Sequence, residues 1–278
     1  MNNQAHLPAS WPSVSVVIPT LNEARNLPHV FAQLPGGIHE VIVVDGHSAD
    51  DTCAVARRLR PDARIVMQNR SGKGNALACG FSAATGQIIV MLDADGSADA
   101  GEIPVFVQAL LDGADFAKGS RFAPGGGSSD LTRLRTWGNR LLMAVVNKTY
   151  GTAYTDLCYG YNVFWRRHLP ALRLDSTTPP RDGAQRLWGD GFEIETLISI
   201  RVTVARLAVA EVPSFEHARI HGFSNLTAFS DGLRVLRMIF KERRTRKAST
   251  AAPREHYSGS GKLEEFASLR TPTSREAE

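Results

Sequence analysis

Asp93 and Asp95 are the residues of this chain whose spacing points most directly to chemistry. They lie in QIIVMLDADGS, Gln87 to Ser97, just after the apolar run Ile88 to Leu92. Such a run reads as a fully buried strand of a parallel sheet. The carboxyl edge of an open α/β sheet is where ligands bind. Two carboxylates at i and i+2 on that edge can share one hard cation, Mg²⁺ or Mn²⁺, which prefers oxygen ligands and keeps positions open for substrate phosphates. The pair therefore suggests a metal-bound nucleotide diphosphate, although aspartate also favours turns and ordinary turn chemistry stays open. Three further clusters follow apolar runs. In PTLNE, Pro19 to Glu23, Asn22 is a candidate helix cap. In DGHSADDT, Asp45 sits at a strand tip, and Ser48, Asp50 and Thr52 offer capping groups. In NRSGKGNA, two glycines flank Lys73 before a helix start, an arrangement suited to a phosphate, but without the Walker A spacing.

The elements that must position these groups alternate in type. Strands are expected at Ser13–Pro19, Glu40–Asp45, Arg64–Met67, Gln87–Leu92 and Asp115–Lys118. Helices are expected at Asn26–Leu34, Asp51–Arg60, Asn75–Ala84 and Gly101–Leu111. Strands alternating with helices imply βαβ units, hence an α/β fold with a mostly parallel sheet flanked by helices. After Gly119 the rhythm changes. Ser120 to Asp130 holds three consecutive glycines and reads as a mobile active-site flap. A long helix over Leu131–Tyr150, an extended Asp156–Trp165, an exposed excursion at Ser176–Arg186, a helix at Phe192–Ile200, a strand at Leu207–Val212 and a last helix at Leu226–Arg246 complete a single domain, 13–246. Residues 1–12 read as a flexible leader and 247–278 as a disordered tail.

Composition sets the broad class. The 278 residues are 43% hydrophobic and 22% charged, as expected of a globular protein, with a net charge of +4. Cys53, Cys79 and Cys158 are far apart, which argues against a disulfide framework or zinc site and for a reducing cytosol. The N-terminus lacks a signal-peptide pattern, and no stretch reaches about 18 uninterrupted apolar residues.

VVIPTLNE, DGHSADDT, SGKGNA, LDADGS and KGSRF, in that order and all at expected strand ends, resemble the family 2 glycosyltransferases with the GT-A fold. DLCYGYNVFWR, GDGFEIET and EVPSFEHARIHGFSN are similar to the polyprenol-phosphate branch, whose members include dolichol-phosphate mannose synthases. The resemblance covers roughly residues 13 to 240. It implies a nucleotide-sugar half, 13–119, and an acceptor half, 120–246. Pro19, Thr20, Asn22 and Glu23 would line the nucleotide pocket, Asp45 would contact base or ribose, and Lys73 would lie near the nucleotide. Asp93 and Asp95 would hold the metal against the donor diphosphate, and Arg121 and Arg219 would bind phosphate. Three departures stand out. DGHS replaces DDGS, Ser97 stands where the family carries an amide side chain, and Tyr159-Gly160-Tyr161 replaces serine-glycine-phenylalanine near the expected acceptor site.

The implied reaction is an inverting transfer of a hexose from a nucleotide sugar, of GDP-mannose or UDP-glucose type, to a polyprenyl phosphate. The alternative is a hydroxyl acceptor in envelope polysaccharide or secondary-metabolite synthesis. A hydroxyl needs a general base, whereas a phosphate monoester is already anionic and needs cationic guides. Arg121, Arg140 and Arg219 are candidate guides, and Asp156, Asp190, Glu193 and Glu195 are candidate acids, Asp190 lying in the acid-rich GDGFEIE. His217 and His221 flank Arg219 and can reach a metal or phosphate as readily as they can be ordinary surface residues. Trp137, Trp165 and Trp188 read chiefly as packing residues. In the last helix Leu226, Phe229, Leu233, Leu236 and Phe240 form one apolar stripe, and from Arg234 to Lys247 seven Lys or Arg face one acid, Glu242. The helix either packs this stripe on the domain or lies on an anionic membrane, which would place the protein on the cytoplasmic face. No nucleic-acid partner is expected.

Overall fold

The apolar runs become strands wherever the chain can bury both faces. The computed structural model describes residues 5–176, 178, 187, 189–222 and 228–246. The first half holds β1 (Val14–Thr20), α1 (Leu27–Gln33), β2 (Glu40–Asp45), α2 (Thr52–Leu59), β3 (Arg64–Met67), α3 (Lys73–Ala83), β4 (Ile88–Met91), α4 (Ile103–Leu111) and β5 (Phe116–Ser120). The second half holds β6 (Gly127–Ser128), α5 (Arg133–Tyr150), β7 (Asn162–Trp165), α6 (Leu169–Leu172), α7 (Ile194–Val204), β8 (Val209–Pro213), β9 (Phe215–Glu216) and α8 (Ala228–Arg246). The main sheet has the order β3-β2-β1-β4-β7-β5-β8, with β6 and β9 pairing separately. All neighbours in the main sheet are parallel except around β7, which runs antiparallel to β4 and β5. The carboxyl ends of β1 to β5 therefore share one edge, and antiparallel β7 brings the segment before Asn162 to that same edge.

Both faces of the sheet are covered, which is why its strands read as continuous apolar runs. Val14, Val16 and Ile18 pack with Leu27 and Phe31 of α1 and Phe106 and Leu110 of α4. Val17, Ile42 and Val44 pack with Leu77 and Phe81 of α3, Leu197 and Ile198 of α7, and Met238 and Ile239 of α8. Fully burying each such side chain stabilises the fold by about 1.5–3 kcal/mol before entropy is set against it. Among the described residues no helix is long and apolar enough to cross a membrane.

Four expectations meet a different structure. The described part of the leader is docked: Leu7 is buried, and its amide donates to the Gly36 carbonyl at 2.8 Å. The glycine-rich segment is pinned, because Gly127–Ser128 pairs with Phe215–Glu216 and the Ser128 hydroxyl donates to Glu216 at 2.6 Å. Among the described side chains of α8, Val235, Met238, Ile239 and Glu242 are buried, whereas Leu233 and Phe240 of the expected stripe are exposed. The reason is tertiary: Glu242 accepts from Arg201 at 3.1 Å, and the Ile239 carbonyl accepts from the Tyr150 hydroxyl at 2.8 Å, which fixes the helix rotation. Trp137 is exposed rather than packed, while Trp165 packs, its indole donating to the Ala114 carbonyl. The tail, most of Ser176–Arg186, Trp188 and Leu226 lie outside the described residues, as does the side chain of Phe229.

Candidate active site at the carboxyl edge of the sheet

The turn after β4 carries Asp93 and Asp95 outward while Ala94 points into the core. Each carboxylate meets a cation from elsewhere in the chain. Lys73, the first residue of α3, places Nζ 2.6 Å from Asp93 and 2.7 Å from Glu195 on α7. Burial opposes the charge on Lys73, but the two carboxylates outweigh it and hold its pKa above the ordinary lysine value. Burial, with the charge of Asp93, pushes the Glu195 pKa up against the pull of Lys73. On the other side Arg219 reaches Asp95 at 3.2 Å and Glu23 at 2.9 Å. Asp95 also accepts from the Ser97 amide at 3.0 Å and hydroxyl at 2.7 Å.

Main chain brings Arg219 there. The His217 amide donates to the Ser97 carbonyl at 2.8 Å and the Ile220 amide to the Asp95 carbonyl at 3.2 Å, so residues 216–220 run as an antiparallel ladder beside 95–98. Tyr159-Gly160-Tyr161 passes close to the same cluster. A Cβ on Gly160 would lie 3.0 Å from both Asp93 Oδ2 and Lys73 Nζ, so any larger residue would push these two side chains away. The Tyr161 hydroxyl donates to the Asp99 carbonyl at 3.1 Å, and its ring stacks on Phe106.

The loops after β1 and β2 interlock. Asn22 adopts a left-handed backbone (φ 59°), which asparagine tolerates, and accepts from the Ala49 amide at 2.8 Å instead of capping α1. Its own amide donates to Ser48 at 2.9 Å. Asp45 is buried and accepts from the Ser48 amide and hydroxyl and from Thr20, so its carboxylate organises the turn. The strand continues past Pro19 to Thr20. Glu23 is buried, accepting from Asn26 as well as Arg219.

Several expected site residues are engaged inside the protein. Asp190 is held by both arms of Arg70, at 2.7 and 3.0 Å, and by the Leu187 amide, so it is not free to act as a base. Arg121 is buried, bidentate on Asp156 at 2.6 and 2.9 Å and paired with Glu216 at 3.0 Å. Its guanidinium thus clamps Asp156 and Glu216 together inside the protein. Burial works against Arg121, but Asp156 and Glu216 raise its pKa, and Arg121 in turn holds Asp156 below the ordinary value despite burial. The amide of Gly74 donates to the Asp190 carbonyl at 2.8 Å, and a Cβ there would overlap the Gly189 carbonyl. That glycine therefore packs the α3 N-terminus on 189–190 instead of leaving its amide for an anion. Glu193 is the N-cap residue of α7, with Oε2 buried and, among the described residues, without a hydrogen-bond partner. Arg140 is exposed on α5. His221 lies near Asn26, whose amide donates to its carbonyl at 3.1 Å, with its ring 5.7 Å from His29, and His217 is exposed beside Phe215.

Sequence reasoning missed Arg70, Asn139 and Glu216 as members of these networks. Asn139 donates to Asp156 at 3.1 Å. Arg70 stands in the quoted NRSGKGNA, and Glu216 three residues before Arg219, but each partner is over 90 residues away in the chain. A cavity of about 280 Å³ opens beside Arg70 and Asp190, lined also by Arg173, Asp175 and Arg201. Neither Asp93 nor Asp95 lines it.

The profile described as Glycosyl transferase family 2 matches residues 15–172, more than half of the chain. The chain belongs to that family. An uncharacterized glycosyltransferase of Mycobacterium tuberculosis is 46% identical over 109 residues, 39% of this chain and 49% of the relative, so the chain spans about half of that relative's length. The polyprenol monophosphomannose synthase of Mycolicibacterium smegmatis is 33% identical over 177 residues, 58% of this chain and 64% of the relative. The crystal structure of glucosyl-3-phosphoglycerate synthase from Mycobacterium tuberculosis with Mn²⁺, uridine diphosphate and glucosyl-3-phosphoglycerate superposes with a TM-score of 0.62 at 24% identity, covering 87% of this chain and 82% of that one. This likeness shows the fold, the mostly parallel α/β sheet of the GT-A type.

Proposed function

We propose that this family 2 glycosyltransferase moves a hexose, with inversion, from a nucleotide sugar to a phosphate-monoester acceptor, a polyprenyl phosphate. The observation that carries this reading is the state of the carboxylates. Asp156 is paired with Arg121, Asp190 with Arg70 and Glu195 with Lys73. A hydroxyl acceptor needs a free base within hydrogen-bond reach, whereas a phosphate monoester arrives as an anion. The M. smegmatis relative, named for polyprenol monophosphomannose synthesis, supports the same acceptor class.

Asp93 and Asp95 fit a divalent cation. They offer hard oxygen donors, and that edge already draws two cationic side chains onto them. Held there, Mg²⁺ or Mn²⁺ would neutralise the diphosphate leaving group as a Lewis acid. Lys73 and Arg219 border the same spot and would donate to the diphosphate oxygens, where fixed positive charge favours departure of the nucleotide. Glu23 keeps Arg219 aimed, and Gly160 leaves room for both.

A second reading, transfer to a hydroxyl, is favoured by one observation: the Oε2 of Glu193, unpartnered among the described residues, which would serve as the base. Turnover of GDP- and UDP-sugars with Mn²⁺, offered a polyprenyl phosphate or a neutral alcohol that carries no phosphate, separates the two. Transfer to the lipid phosphate alone is expected. Transfer only to a hydroxyl overturns the polyprenyl assignment, and no turnover of any sugar nucleotide with any acceptor overturns the activity.

A further inference from the structure

The helix α5 turns an apolar face outward. Leu134, Trp137 and Leu141 are 69, 64 and 44% exposed. Their i, i+3, i+7 spacing puts them on one side of the helix. The opposite side, Asn139, Leu142, Val146 and Tyr150, is buried. The helix carries Arg133, Arg135, Arg140 and Lys148 but no Asp or Glu. Arg133, Arg140 and Lys148 are exposed, and by helical spacing they rim the same side.

We propose that this face docks the protein on an anionic lipid bilayer. A large exposed apolar strip marks an interaction surface. An apolar strip with a tryptophan and a cationic rim matches a layer of anionic headgroups over acyl chains. A second copy of this chain fits badly: a two-fold interface would set each all-basic helix against its twin, with like charges opposed. The place in the fold gives the docking a purpose. Asn139, on the inner side of the same turns, donates to Asp156, which holds Arg121. The strip is thus about one helix diameter, roughly 10 Å, from that cluster at the sheet's carboxyl edge. Docking brings the edge to headgroup level, where a lipid phosphate is presented. This purpose rests on the polyprenyl-phosphate reading, but the binding itself does not.

The test uses the full chain and vesicles of phosphatidylcholine with or without phosphatidylglycerol, and no donor or acceptor. The wild type is expected to sediment with the anionic vesicles only, with a blue shift of tryptophan emission that Trp137→Phe removes. Leu134→Ser with Trp137→Ser and Leu141→Ser should weaken binding at least about tenfold. Arg133→Gln with Lys148→Gln should weaken it and flatten its salt dependence. Donor hydrolysis should stay unchanged in both, showing that they fold. Three results overturn the proposal: no vesicle binding by the wild type, equal binding by the triple variant, or a dimer in solution that the triple variant abolishes. Vesicle binding combined with transfer only to a soluble hydroxyl would remove the acceptor reading and leave the docking face standing. Transfer to polyprenyl phosphate without vesicle binding would do the reverse.

Discussion

Lys73 illustrates how the site balances charge before any substrate arrives. Its ammonium sits between Asp93 and Glu195, where a carboxylate pair would otherwise draw a metal ion. On the proposed function Mn²⁺ and Lys73 compete for Asp93. Lys73→Ala should therefore bind Mn²⁺ in the free protein about tenfold more tightly by calorimetry, because a neighbouring positive charge is gone. The same variant should transfer sugar more slowly, having lost a donor to the diphosphate. Unchanged or weaker Mn²⁺ binding would show that Lys73 does not guard that carboxylate. The acids of GDGFEIE separate in the same spirit. Asp190→Asn breaks the buried pair with Arg70 and should cost about 3–5 kcal/mol of stability in denaturant unfolding. Glu193→Gln should leave stability near wild type and, for a phosphate acceptor, leave kcat within a few-fold. A thousandfold fall in kcat, of the size that loss of a general base brings, would favour the hydroxyl reading. At this scale the sequence showed residue types and little of their pairing. Asp93 and Asp95 were legible because a buried strand runs straight into them. The Arg70–Asp190 pair was not, since it joins positions 120 residues apart. Asn139 and Arg140 differ by one position, about 100° around the helix, and which of them faces Asp156 depends on a rotation that only packing sets.

Among the elements, the segment before β7 couples most directly to the chemistry. Its glycine touches the Asp93–Lys73 pair, and its second tyrosine is tied to the turn at Asp99. Gly160→Ala forces a methyl to within 3.0 Å of two charged atoms, which must move. The cost in stability should be modest, about 1–3 kcal/mol. The expected result is a folded protein, by circular dichroism, with weaker Mn²⁺ binding and lower kcat. An Ala variant that binds Mn²⁺ and turns over as the wild type does would show that this segment does not shape the site. Helix α8 shows what periodicity leaves undecided. Leu233, Leu236 and Phe240 form one apolar stripe, and Val235, Met238 and Ile239 form another nearly as apolar. The contact of Glu242 with Arg201 selects the second, and no local signal carries that contact.

At the scale of the whole molecule the sheet was legible because both its faces are buried, so its strands appear as uninterrupted apolar runs. The buried charge network around Arg121 gives the molecule a pH signature. Asp156 has a folded-state pKa below its unfolded value, so its contribution is full above about pH 4. The contribution fades as pH falls through the lower, folded-state value. Urea unfolding from pH 7 to 2 should show the wild type losing stability below about pH 4. Asp156→Asn should start lower at pH 7 by about 3–5 kcal/mol and fall less steeply on acidification. Parallel curves for the two proteins would place the acid-sensitive groups elsewhere. The position of β7 bears on how such a protein can be recombined. Its residues, Asn162–Trp165, come from the second half of the chain but lie between β4 and β5 of the first. A chain cut after Gly119 would leave β4 with an open edge and β5 with no neighbour inside its own fragment. The two halves are therefore not separable folding units. The first half expressed alone would expose the edge of β4 and aggregate, and only a strand supplied in the place of β7 would close it.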